Sequence, residues 1–317
     1  MPEAAPTVEL DAQYRAIREE AAVVERPSPA LIALEGRDAA EYLQGQITND
    51  LEALEPGEGR YAALLDRKGH IQADMRALRL SDGEFLLVSE AAAGPALLRH
   101  LSTYKIGREV EVHDRSGALA LISVLGPRAQ ELVGAEGLAP EHASREVSIG
   151  GSTARAIAAD SGVDVLCATE DAPAVISALR EAGAEPASEA AAEIARIESG
   201  RPSFTGELAS APMPAEAGIV ERAIDFEKGC YIGQEPVARL HYRGKPNRTL
   251  RGLRLSAPAE PGATLTLGDK EVGSVASACV SPANGPIALA IVRREAEPGS
   301  SVQVQGSGAA EVVDLPF

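Results

Sequence analysis

From Gly244 onward the sequence changes texture, and no other feature limits the possible folds as much. TLRGLRL, ATLTL, KEVGSVASACV, IALAIVRRE and SSVQVQ are short runs punctuated by Pro-Gly, Gly-Asp and Asn-Gly. Those dipeptides take the backbone conformations of tight turns, and such short runs between them read as strands. An all-β unit, a small barrel or a sandwich, is therefore expected over 245–317, with a domain boundary near 244–248.

Residues 1–244 read differently. Apolar positions at helical spacing (Leu10, Tyr14, Ile17, Ala21, Val24) predict a helix over 9–25 that ends before Pro27. LIALEG is a strand stopped by Gly36, and RDAAEYLQGQI a helix capped near Asp38. YAALLD and ADMRALRL are strands flanking Arg67-Lys68-Gly69-His70, and Ser81-Asp82-Gly83 turns the chain into EFLLVS. Helical periods return over 91–104 and near 171–182 and 188–199, and EVEVHD alternates like a strand. LIALEGRDAAEYL (31–43) and LISVLGPRAQELV (121–133) place Gly36 and Gly126, Ala39 and Ala129, and Glu41 and Glu131 in register. This echo of strand, glycine and helix points to two related α+β subdomains, with a sub-boundary near 116–185.

The chain is long enough for two or three domains, and its 45% hydrophobic and 24% charged residues are those of a globular protein. No run approaches the apolar length of a membrane span, and MPEAAPTVELDAQ resembles neither a secretory signal nor a transit peptide. Cys167, Cys230 and Cys279 are odd in number and far apart, which argues for a reducing compartment, by default the cytoplasm. A net charge of −17 argues against general nucleic-acid binding. Yet from Lys228 to Arg254 seven basic residues face one acid, Glu235. Two readings fit that segment: a local anionic ligand, or a solvated face whose arginines pair with carboxylates elsewhere.

Phosphate loops, G-x-G-x-x-G and G-x-S-x-G are absent, and the five histidines never take zinc-site spacing. Three scattered cysteines cannot supply a four-thiolate iron–sulfur site. What remains is a set of polar elements where loops belong: Gln46-Ile47-Thr48-Asn49-Asp50, the block from Leu65 to Asp74, Arg196-Ile197-Glu198-Ser199-Gly200, and EKGCYIGQEP from Glu227 to Pro236. Asp50 reads as turn chemistry. Asp74 lies in a strand pattern that disfavours carboxylates, and Glu198 opposes the dipole at a helix C-terminus. Cys230, in a segment with two glycines, is either a small core residue in an awkward turn or a group facing a ligand. Cys167 and Cys279 read as buried strand positions.

KGCYIGQE resembles the K-G-C-[FY]-x-G-Q-E signature of the YgfZ family, folate-binding relatives of the glycine-cleavage T-protein, an aminomethyltransferase. LEGRDAAEYLQGQITND, YAALLDRKGHIQADMRAL, the stretch from Gly218 to Leu253 and VGSVASACVSPANGPIALAIVR extend the resemblance over roughly 28–295. It implies an α+β fold: two interleaved α+β subdomains forming a folate-binding ring, with a small C-terminal β-barrel. Asp74 and Glu198 match positions that hold the pterin of tetrahydrofolate or a one-carbon derivative, where a carboxylate accepts paired N–H bonds. Tyr231 is a candidate to pack beside the pterin, and Arg239 and Arg243 to meet the folate's glutamate tail. The resemblance makes Cys230, with Lys228 beside it, the candidate catalytic group, and Gly229, Gly233, Gln234 and Glu235 the rest of the motif. The T-protein pattern has an asparagine after FLLV where this chain has Ser89-Glu90, and a D-F-x-G-like stretch at the octapeptide. The implied role is accordingly a tetrahydrofolate-binding accessory factor for iron–sulfur cluster assembly or repair, serving clients that include tRNA-modifying enzymes. Its alternative is a folate-dependent aminomethyl or methylene transferase.

Overall fold

The computed structural model describes residues 7–317. The expectation of no signal or transit peptide rests partly on 1–6, outside the described residues.

Helix α1 (Thr7–Glu19) leads into strand β1 (Ala22–Glu25). The helix expected over 9–25 is thus shorter. Ala22, Val23, Val24 and Glu25 pair antiparallel with residues of a later strand, and the β-branched valines suit that buried position better than another helical turn. The chain next builds β2 (Ala30–Glu35), α2 (Ala39–Gln44), β3 (Gly59–Leu65), β4 (Ile71–Ser81), β5 (Glu84–Ser89), α3 (Gly94–Tyr104) and β6 (Glu111–Asp114). These strands form one sheet in the order β3-β4-β5-β2-β6. It then returns through β7 (Leu119–Leu125), α4 (Ala129–Val133), β8 (Ser144–Ile149), β9 (Ser152–Ala159), β10 (Gly162–Ala168), α5 (Ala172–Glu181) and β11 (Glu185–Pro186). This completes a second sheet, β11-β1-β7-β10-β9-β8. Because β1 belongs to the sheet finished last, the two α+β subdomains interleave.

The sequence echo is a structural repeat. β2–Gly36–α2 and β7–Gly126–α4 make the same corner, with φ at +142° and +119°. A Cβ on Gly36 would lie 2.1 Å from the Glu109 carbonyl oxygen, and one on Gly126 would lie 2.6 Å from that of Glu20. Only glycine fits either corner. Between the sheets, Leu31, Leu78, Leu86 and Val88 pack on Ile157 and Leu166. Each such side chain contributes about 1.5–3 kcal/mol on full burial. Arg76 pairs with Asp164 across the same sheets at 2.5 Å, where Asp164 also accepts from Ser123.

Helices α6 (Glu189–Glu198), α7 (Val220–Ala223) and α8 (Gln234–Arg243) lead to β12 (Arg248–Leu255), β13 (Thr264–Leu267), β14 (Lys270–Ser281), β15 (Gly285–Arg293), β16 (Ser301–Val304) and β17 (Gly308–Val313). The strands close into a barrel, β12-β15-β14-β13-β16-β17, filled by Leu253, Leu265, Val275, Val292, Val302 and Val312. The expected α+β fold with a C-terminal barrel is therefore present.

The chain divides into two compact units. One comprises the described residues up to Leu65, Gln72–Ala192 and Arg222–Ile232; the other comprises Asp66–Ile71, Glu193–Glu221 and Gly233–Phe317. Among the described residues no helix is long and apolar enough to cross a membrane.

Candidate functional site

In the first unit, Gln44 ends α2 and its side chain ties the following loop together. Its Oε1 accepts from the Leu51 N–H at 2.8 Å and its Nε2 donates to Asp50 Oδ1 at 2.8 Å. Asp50 thus does the turn work expected of it. Thr48 Oγ1 donates to the Ala223 carbonyl at 2.6 Å, and Asn49 Nδ2 donates to the carbonyls of Tyr61 (2.8 Å) and Arg222 (3.1 Å). The QITND stretch therefore fastens the 222–228 segment to β3.

Lys228 completes that fastening. Its Nζ donates to the carbonyls of Gln44, Ile47 and Asn49 at 2.8, 2.7 and 2.8 Å. One carbonyl for each N–H is an arrangement that only the ammonium form can satisfy. Burial pulls its pKa down to about 8, against the carboxylates of Asp50, Asp225 and Glu52, which favour the charge. The ammonium also lies 5.3 Å from the centroid of the Tyr231 ring. Tyr231 is buried, its hydroxyl has no hydrogen-bond partner among the described residues, and burial pushes its pKa up to about 12. Cys230, between these two residues, is exposed. A Cβ at Gly229 would meet nothing within 4 Å.

The most unusual carboxylate is Asp74, on β4. Its Oδ2 accepts from the Tyr61 hydroxyl at 2.7 Å, whereas Oδ1 is shut off from solvent with no hydrogen-bond partner among the described residues. Burial is the main cause that raises its pKa to about 6; Glu90 adds to the rise, while the Tyr61 hydrogen bond and Arg222 oppose it. Ser89 donates its hydroxyl to the Asp74 carbonyl at 2.5 Å. The Arg222 guanidinium stands 4.9 Å from the Tyr61 ring centroid and donates to Glu141 at 3.2 Å. A carboxyl of this kind can take up a proton near neutrality or accept N–H bonds on its spare oxygen. Tyr61 and Arg222 escape sequence reasoning. Tyr61 lies 13 residues before Asp74 in an ordinary strand pattern, and Arg222 lies far along the chain in a one-turn helix.

The second unit holds the other expected residues. Glu198 ends α6, is 4% exposed, and accepts at Oε1 from the Ser281 hydroxyl and from Asn284 Nδ2 at 3.2 Å. Its position at a helix C-terminus is thereby explained by donors from the β14–β15 hairpin. Gly233, at φ +85°, opens α8 next to Gln234. Glu235 and Arg239 pair at 2.6 Å on its exposed surface, and Arg243 is exposed one turn on. Arg248 forks onto Glu216 with two 3.0 Å bonds, and Arg251 meets Asp314 at 2.6 Å. Arg239, Arg248 and Arg251 of the basic run are thus paired with carboxylates. Cys167 is buried, and Cys279 is half-buried beside the apolar cluster around Ile197.

The sequence matches the GCVT N-terminal domain over residues 5–228 and the glycine cleavage T-protein C-terminal barrel domain over 248–317. It is 31% identical to an aminomethyltransferase of Saccharopolyspora erythraea, over 96% of this chain and 89% of that protein. It is also 31% identical to one of Thermus thermophilus, over 97% and 92%. The fold superposes on the glycine cleavage system aminomethyltransferase T of Bartonella henselae with a TM-score of 0.79 at 22% identity, covering 100% of this chain and 91% of the other.

These matches correct three expectations. Membership of the YgfZ family, the iron–sulfur accessory role and its tRNA-modifying clients grew from the octapeptide, the further blocks over roughly 28–295 and the departures from the T-protein pattern. The whole-length relatives carry a different name and activity. In the structure Lys228 sits in a cage of three carbonyls and Gly233 takes a left-handed corner. Tetrahydrofolate, the expected cofactor, is one that aminomethyltransferases of the matched family use as substrate or cofactor. The chain belongs to the glycine cleavage T-protein family.

Proposed function

We propose that this protein is a tetrahydrofolate-dependent aminomethyltransferase, moving a one-carbon unit from an aminomethyl donor to the folate. Within this chain the reading is carried by Asp74, a buried carboxyl with one oxygen held by Tyr61 and the other without a partner among the described residues. A buried oxygen left unpaired costs free energy unless a ligand's N–H groups come to it. The pterin of a folate offers an amino group beside a ring N–H, which suits a carboxylate. Bound tetrahydrofolate supplies the nucleophilic amines that take up the one-carbon unit. Asp74 would orient the ring, and its carboxylate, with a pKa raised to about 6, can take the N–H proton that the folate amine loses as the new C–N bond forms and pass it to the departing amine. Relatives named aminomethyltransferase along nearly the whole chain support the same reading.

The test is formation of methylene-tetrahydrofolate with release of ammonia from an aminomethyl donor. Wild-type protein is expected to turn over, and Asp74→Asn to lose at least tenfold in kcat/KM, since a hydrogen bond to a charged group is worth about 1.5–3 kcal/mol. Absence of turnover together with absence of tetrahydrofolate binding in the wild type refutes the reading.

A further inference from the structure

We propose that Arg222 is a positioning residue for the site at Asp74: lying over the face of Tyr61, it keeps the phenol on Asp74 Oδ2 and so leaves Oδ1 as the oxygen presented to the ligand. The inference rests on the aminomethyltransferase reading for the identity of that ligand, and on the first unit's geometry for the rest. The Asn49 amide donates to the main-chain carbonyls of both Tyr61 and Arg222, so the two residues share one anchor and keep a fixed spacing. The guanidinium, 4.9 Å from the ring centroid, is within the range where a cation is attracted to an aromatic face. Nη2 is held by Glu141, whose Oε1 also lies 3.6 Å from His142 Nε2. The far end of the same ring carries the hydroxyl that donates to Asp74 at 2.7 Å.

The charged and titratable groups around Asp74 come from three elements: Tyr61 on β3, Glu90 after β5, and Arg222 on α7. Arg222 is the cation among these three, and Glu90 works against it. Withdrawing electrons through the ring also makes the Tyr61 hydroxyl a stronger donor. A second reading gives Arg222 only a surface ion pair with Glu141, and such pairs contribute little. That reading leaves Asp74 only the through-space effect of the charge at 222, which Arg222→Lys keeps.

A carboxyl ¹³C NMR titration separates them, with the Asp74 signal assigned by its loss in Asp74→Asn and folding checked by thermal melts. Arg222→Gln is expected to move the Asp74 midpoint upward by about one pH unit, as for loss of a nearby opposite charge. Tyr61→Phe is expected to move it in the same direction. Arg222→Lys keeps the charge without the planar guanidinium, and its midpoint is expected between wild type and the Gln variant. A midpoint in Arg222→Lys equal to wild type overturns the proposal, because charge alone then accounts for any shift in Arg222→Gln. Should the Lys variant fail to fold, Arg222→Gln decides, an unchanged midpoint being the overturning result. Tetrahydrofolate affinity at neutral pH is expected to fall several-fold in Arg222→Gln. A wild-type protein that does not bind tetrahydrofolate defeats the functional reading alone, because the titration needs no ligand.

Discussion

Asp74 makes the protein's stability depend on pH in an uncommon direction. Its carboxyl titrates near 6 in the fold, above the ordinary aspartate value of 3.8, so the folded chain binds that proton more tightly than the unfolded one. The contribution is complete below 3.8 and is lost as pH rises through 6, a change of at most about 3 kcal/mol at 1.36 kcal/mol per pH unit. Chemical denaturation of wild type and Asp74→Asn at a series of pH values is expected to show the variant gaining relative stability between pH 4 and 7. Parallel profiles would mean that the carboxyl is not buried in solution. The cysteines give a second residue-level check. Cys230 is exposed, Cys167 is 2% exposed, and burial, with Glu198 and Glu193, pushes the Cys279 thiol up to about 12. Maleimide labelling of the folded protein should mark Cys230 first. The sequence placed Asp74 and Lys228 among candidates but not their surroundings. Tyr61, Asp74 and Arg222 meet only through sheet pairing and the Asn49 anchor, neither of which leaves a local pattern.

At the scale of elements, the paired corners are the most demanding features. Gly36→Ala and Gly126→Ala each put a Cβ inside contact distance of a main-chain carbonyl at positive φ. Each is expected to cost about 2 kcal/mol or more, read as a lower urea midpoint. Gly229→Ala, with open space around the new carbon, is expected to change the midpoint little. These corners were legible because two glycines recur in register between a strand and a helix. The barrel was legible because its turns need Asn-Gly, Gly-Asp and Pro-Gly. β1 was not. Ala21 and Val24 continue the helical spacing of α1, and only pairing with Ile122–Leu125 shows that Ala22–Glu25 is a strand.

For the molecule as a whole, the two compact units do not follow one another along the chain. The unit with the barrel also includes Asp66–Ile71 and Glu193–Glu221. Ile197 packs with Leu250, Ile287 and Leu289, and the Glu216 carbonyl accepts the Leu250 N–H at 2.8 Å. A fragment ending at Gly244 keeps these pieces without their partners. It is expected to bind an apolar dye and melt over a broad range, while the full chain melts cooperatively. A fragment that melts as sharply as the whole protein would show that the pieces fold without the barrel.

The early placement of β1 bears on how the protein is made. During synthesis this strand emerges almost a hundred residues before β7, the neighbour that covers its length. The sheet of β2 to β6 has by then left the ribosome and can close first. Until β7 follows, the nascent chain carries an apolar strand with open edges, and that interval is when a chaperone would have most to protect.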